Sequence, residues 1–242
     1  MSALGHYLEV EGIATVAIAL IRRQAENTKP PRALWVPFEL GRPFGPPNEP
    51  LFQKRVLLAA LGMLVEEGGP VRITDFPDDD PRAQPDPAWR PPFIPASIAD
   101  GSVESLASRV EAEVLLLRGA HERWTVQHGR STVGLSGLPI RECARYVADW
   151  LRGKEPPSPR DSFSAPLILR FAVDDLKAYC LEAAGAGTAK PSSRQLGDWF
   201  WNETATGAAL YALRTVLLGQ EDERLRLIVA NFMVPAARLR SG

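Results

Sequence analysis

The residues best placed to do chemistry lie near the N-terminus. Arg32 opens a short apolar run, and Arg42 sits in the loop Leu40-Gly41-Arg42-Pro43-Phe44-Gly45-Pro46-Pro47 that follows it. A loop after a strand's carboxyl end and ahead of a helix is where open α/β sheets bind ligands. Gly41 and Gly45 let the backbone approach a bound group, and Arg32 and Arg42 can clamp a small carboxylate bidentately. Gln53, in the first turns of the next helical segment, can hydrogen-bond a ligand; bracing the loop backbone is its plainer role. The prolines also suit a purely structural turn. The loop is neither a G-x-G-x-x-G nor a Walker A sequence, so no nucleotide is expected.

A second constellation lies near the C-terminus. Asp175 and Glu182 are seven residues apart and share a helix face. Glu203 falls in Trp199-Phe200-Trp201-Asn202-Glu203-Thr204, an aromatic cluster that would raise the pKa of an enclosed carboxylate. With Asp174 these could make a general acid–base pair or a di-metal site, with Glu203 as the catalytic candidate. Ordinary helix-surface charge is the alternative. No Glu-x-x-His motif occurs, and His121 and His128 are not at a metal spacing, so no metal is expected. Arg130-Ser131-Thr132-Val133-Gly134-Leu135-Ser136-Gly137, ahead of Pro139, is a small polar loop at a helix start, suited to an anion. Cys143 and Cys180 lie among apolar helical residues and read as buried thiols rather than nucleophiles.

The elements that must hold these residues fall into three stretches. Residues 1–76 read α-β-α-β-loop-α-β: a helix over 3–10, a continuous apolar strand over 13–20, a brief helix over 21–27, a strand over 33–38, a helix over 51–66 and a strand over 71–74. Continuous apolarity over 13–20 predicts a strand buried on both faces. The helix over 51–66 is expected to bury Leu51, Val56, Leu57, Ala60, Leu61 and Leu64, and Gly68-Gly69 to end it. The fold class expected is a partial doubly wound α/β region of two to three parallel strands, followed by a mostly helical region. Residues 77–100, with seven prolines and many aspartates, read as a linker, part of which docks through Trp89, Phe93 and Ile94. Residues 101–242 read as a helical domain. Its helices are expected over 103–124, 139–151, 166–184, 193–218 and 221–232.

Residues 2–62 resemble one segment of the selenoprotein B family of glycine, sarcosine, betaine and D-proline reductases, specifically its selenium-free bacterial relatives. The likeness rests on Ser2-Ala-Leu-Gly-His-Tyr-Leu-Glu-Val-Glu-Gly-Ile13, on Pro30-Pro31-Arg32, and on Phe38-Glu-Leu-Gly41-Arg-Pro43-Phe-Gly45-Pro-Pro47. Gln53, Val56 and Ala59-Ala60-Leu61 complete it. In that family a selenocysteine or cysteine stands directly before the first helix and is the redox nucleophile of reductive C–N cleavage. Here Ser2 is the nearest polar side chain, and serine cannot form selenyl or disulfide intermediates. The resemblance therefore implies a reductase-like subunit acting on a small amino acid or carboxylate, with its nucleophile supplied by a partner chain. The alternatives are a redox-inactive ligand-binding or assembly protein of the same family, and an unrelated enzyme using the C-terminal carboxylates.

Composition narrows the classes further. The chain of 242 residues is 45% hydrophobic with a formal net charge of −1, which argues against a broad nucleic-acid surface. No segment is apolar for long enough to span a membrane. Two cysteines cannot make a disulfide framework, so a cytoplasmic setting is expected. Two or three strands leave a sheet edge unpaired, so a homo-oligomer, or a heteromer with a Cys- or Sec-containing relative, is expected.

Overall fold

The computed structural model describes residues 2–65, 70–93 and 102–239. The chain divides between Gln84 and Pro85 into two compact units.

The first unit is mixed α/β. Its elements are α1 (Ser2–Val10), β1 (Ala17–Ala19), α2 (Arg22–Thr28), β2 (Arg32–Trp35), α3 (Pro50–Gly62) and β3 (Arg72–Asp75). The three strands are parallel in the order β1-β2-β3, with Ile18, Leu34 and Thr74 side by side. Leu34 and Val36 project to the face that meets Val56, Ala60 and Met63 of the α3 segment, and Phe38, Phe52 and Phe76 close that core.

Two expectations are corrected here. The strand expected over 13–20 pairs only at Ala17–Ala19, and it is half-buried rather than enclosed. Gly12, at φ +80°, turns the chain after α1, and the Thr15 N–H and hydroxyl both donate to the Glu9 carboxylate, so residues before Ala17 are tied to α1. β1 is also one of the sheet's two outer strands, and among the described residues it has a neighbour on one side only. The helix over 51–66 does not bury the face expected of it. Val56 and Ala60 point inward, while Leu51, Leu57 and Leu61 are exposed. Its apolar residues surround the helix, and a sheet of three- and four-residue strands can cover only one stripe of it. The helix also ends at Gly62, with Met63 as its C-cap, short of the end expected at 66 and of the Gly68-Gly69 stop. Gly68-Gly69 themselves, Ile94 and the rest of the stretch to Asp100 lie outside the described residues.

The proline-rich stretch is shared between the units. Asp80 caps a single 3-10 turn, Pro81–Ala83, by accepting the Arg82 N–H at 2.7 Å. Arg82 in turn donates to the Pro47 carbonyl at 3.1 Å and to Glu49 at 3.2 Å. Beyond the division, the Trp89 indole N–H donates to the Ala184 carbonyl at 2.9 Å, and Trp89 and Phe93 stand edge-on to Trp199. Asp86 accepts from the Lys190 N–H, and its own N–H donates to Gln195.

The second unit is helical: α4 (Val103–His128), α5 (Ile140–Leu151), α6 (Ala165–Ala184), α7 (Ser193–Glu203), α8 (Ala205–Leu218) and α9 (Glu223–Phe232). Helices α4, α5 and α6 pack on one another, and α8 lies against α4, α7 and α9. Leu117, Ile168, Leu169, Leu176, Phe200, Leu210 and Leu213 fill the centre. Side-chain caps from Ser102, Ser192 and Asp222 satisfy the first N–H groups of α4, α7 and α9. The single helix expected over 193–218 is broken at Thr204, which is extended and caps α8 by accepting the Gly207 N–H at 2.9 Å. Gly207 permits the break to pack tightly, since a Cβ there would fall 2.2 Å from the Phe200 carbonyl oxygen. Among the described residues no helix is long and apolar enough to cross a membrane.

Candidate functional site

In the α/β unit the predicted ligand residues do not converge. Arg32, at the start of β2, is ion-paired with Glu9. The Thr15 N–H, joined by Arg32 and the Thr15 hydroxyl, outweighs burial and holds the Glu9 carboxyl below the usual range. Arg42 lies beyond the other end of β2, 3.7 Å from Glu39. The two guanidinium groups therefore have separate internal carboxylates rather than a shared external one. Gly41 and Gly45 adopt φ of +91° and +86°. At Gly45 a Cβ would meet the Phe52 ring at 2.6 Å, so the missing side chain serves loop-on-helix packing. Gln53 donates to the Pro46 carbonyl at 2.8 Å, which makes it a brace for the loop.

An open groove of roughly 780 Å³ lies instead beside β1. Ala17 to Ile21 form its floor, with Ser2, Ala3 and His6 from α1 and Gln24, Ala25 and Thr28 from α2. The Ser2 hydroxyl donates to Thr28 at 2.9 Å, and His6 Nε2 contacts the Lys29 carbonyl at 2.7 Å.

In the helical unit the two carboxylates that share a face of α6 do converge, and what they hold is the Arg130–Gly137 loop. Asp175 accepts the N–H groups of Gly134 and Leu135 at 2.8 Å, the Ser136 N–H at 2.9 Å and the Ser136 hydroxyl at 2.5 Å. Glu182 accepts the Ser131 hydroxyl and both the N–H and hydroxyl of Thr132, all within 2.7 Å, and contacts His121 Nε2 at 2.9 Å. The expectation that this loop suits an anion is met from within: successive N–H groups make an anion-binding concavity, and Asp175 fills it. These carboxylates have their lone pairs engaged by the fold, which leaves little for a substrate or a metal. Among the described residues no three His, Cys, Asp or Glu side chains gather as a metal set.

Glu203 departs from its expected setting. Trp199 and Phe200 are buried, but Glu203 ends α7 on the exposed side and is not enclosed by the aromatic rings. Burial pushes the Cys143 thiol up to about 11, and it raises Cys180 as well. Neither sulfur is poised as a thiolate. His128 stacks on Trp124 with ring centroids 3.6 Å apart, and the His121 ring lies against Tyr179.

One buried carboxylate went unremarked in the sequence. Glu113 of α4 accepts the N–H groups of Ala205 and Thr206 and the Thr206 hydroxyl, at 2.6, 2.8 and 2.7 Å. Burial raises its pKa, against the pull of those three donors and of Arg109. Its signal was an acid set within the apolar helical spacing Val110, Val114, Leu117.

Glu182 carries a pH prediction. Burial works upward on its carboxyl, but the donors from Ser131, Thr132 and His121 outweigh it, and the folded-state pKa is lowered. A lowered carboxyl contributes stability above its unfolded pKa, and that contribution is lost as pH falls through the folded value. Glu182→Gln is therefore expected to destabilise the chain at neutral pH and to flatten the acid limb of its melting temperature below about pH 4.5. Parallel limbs in the two proteins would contradict this.

Comparison with family models, curated proteins and solved structures returns no match for this chain.

Proposed function

We propose that the chain is a partner-dependent subunit. In the reading its first segment suggests, it belongs to a reductase-like complex of the selenoprotein B kind that acts on a small amino acid or carboxylate. The redox nucleophile comes from a Cys- or Sec-containing partner. The observation that carries this reading is the unpartnered apolar stripe of α3. Leu51 and Leu58 are seven residues apart and Leu61 three further on, all within the helix, with exposures of 81%, 56% and 46%. This is the heptad-like spacing of a seam that meets another helix. The three parallel strands then count as part of a larger doubly wound sheet. Both cysteines being buried with raised pKa supports a nucleophile from elsewhere, and unpaired thiols suit a cytoplasmic setting.

The test is to isolate the chain from its native cells and weigh the complex by native mass spectrometry. A stable heteromer with a chain bearing a reactive cysteine or selenocysteine is expected, and Leu58→Glu is expected to weaken it more than tenfold. A chain that binds no such relative overturns the reading. A second reading is a redox-inactive ligand-binding or assembly protein of the same family, and the pairing of Arg32 with Glu9 favours its assembly form, because the guanidinium that a carboxylate ligand would need is already engaged. That form expects the chain to join a complex without turning over a small carboxylate.

A further inference from the structure

The two outer edges of the three-stranded sheet are built differently. β3 reads Arg72-Ile73-Thr74-Asp75 between Pro70 and Pro77, and charges and prolines of that kind keep other strands away. β1 lies in Val16-Ala17-Ile18-Ala19-Leu20-Ile21, which has neither charge nor proline. Alternate residues of a strand turn their N–H and C=O to opposite sides. The Ala19 carbonyl accepts from the Val36 N–H at 3.0 Å, so Ala17 and Ala19 face β2 through their backbones. Ile18 and Leu20 then present theirs to the outer edge, beside the roughly 780 Å³ groove. Such an edge takes another strand.

We propose that the edge of β1 pairs with β1 of a second copy, antiparallel about a two-fold axis near Ile18, so that three strands from each chain form one continuous sheet. Two features favour a second copy. The uncharged run meets itself without like-charge contacts. Its ends are also oppositely charged: Glu9 and Glu11 precede it, and Arg22 and Arg23 follow it. Glu9 and Arg22 are engaged by Arg32, Asp75 and Glu26. Glu11 and Arg23 are exposed, and among the described residues no hydrogen bond or ion pair draws on their side chains. Antiparallel pairing brings the basic end of one copy to the acidic end of the other, an isologous contact, whereas parallel pairing would set like against like. This surface is separate from the α3 stripe, and the proposal does not rest on the heteromeric reading.

The test uses the purified full chain. Sedimentation equilibrium over a dilution series is expected to show a particle of twice the chain's 26.5 kDa. Hydrogen exchange at the Ile18 and Leu20 amides is expected to slow as concentration rises. Ala17→Arg, which fills the groove, is expected to raise the dimer dissociation constant more than tenfold with an unchanged circular dichroism spectrum. Should that variant fold poorly, Arg23→Glu supplies the second test. It is expected to weaken the dimer about tenfold, and Arg23→Glu with Glu11→Arg to restore it. A chain monomeric at every concentration overturns the proposal. So does a dimer that survives Ala17→Arg, or one split only by Leu58→Glu. A dimer indifferent to the charge pair overturns the antiparallel arrangement.

Discussion

Glu113→Ala is expected to destabilise the helical unit by about 3–5 kcal/mol, the range for leaving buried partners of a charged group uncompensated. The Ala205 and Thr206 N–H groups and the Thr206 hydroxyl all lose their acceptor, and both residues are buried, with Thr206 fully so. Water has no easy access to replace the carboxylate. At about 2–4 °C per kcal/mol for a unit of this size, the melting temperature should fall by roughly 10 °C. Glu113→Gln keeps one oxygen but turns an N–H₂ toward a donor, so its loss should be smaller. A double-mutant cycle with Thr206→Val isolates the hydroxyl's share. A change of under about 1 kcal/mol in Glu113→Ala would mean the α7–α8 break does not depend on this side chain.

Asp175→Ala is expected to cost about 2–4 kcal/mol. Of its four nitrogen and oxygen donors from the loop, the Ser136 N–H and hydroxyl are sealed from solvent, while Gly134 and Leu135 lie on exposed residues and can turn to water. The loss should therefore be uneven. Hydrogen exchange at residues 134–136 should quicken far more than at the core amides of α6, alongside a fall in the thermal midpoint. Asp175→Asn should fall between, since its amide can accept on one side only. Unchanged exchange in the loop would show that Asp175 does not hold it. The Glu182 acid limb adds a separate readout, because Glu182 grips the same loop at Ser131 and Thr132.

Several features were legible in the residues. The alternation of helix and strand through residue 76 follows from local apolar spacing and from Gly12 and Pro30-Pro31. The loop-bracing role open to Gln53 is the one it plays at Pro46. Trp89 and Phe93 announced docking inside a proline-rich stretch, because large aromatic side chains seek burial. The shared face of Asp175 and Glu182 followed from their seven-residue spacing. Their purpose did not: a periodicity places carboxylates on one side of a helix but cannot say which donors approach from another segment. Glu203 failed for the same reason, since an aromatic neighbourhood along the chain says nothing of which side chains turn inward. The break at Thr204 was hidden because Thr204 and Gly207 act as a cap only once Glu113 arrives from α4.

The sequence by itself determined the local matters: which segments are helix or strand, where the chain turns, and that its two thiols sit among apolar neighbours. Only the tertiary structure decided which face of α3 is covered, that Arg32 meets Glu9, and that the anion for the Arg130–Gly137 loop is a carboxylate of α6. Local choices depend on neighbours within a turn or a strand, which the residue order displays. The others depend on groups 20 to more than 90 residues apart, such as Glu9 with Arg32 and Glu113 with Thr206, brought together by packing.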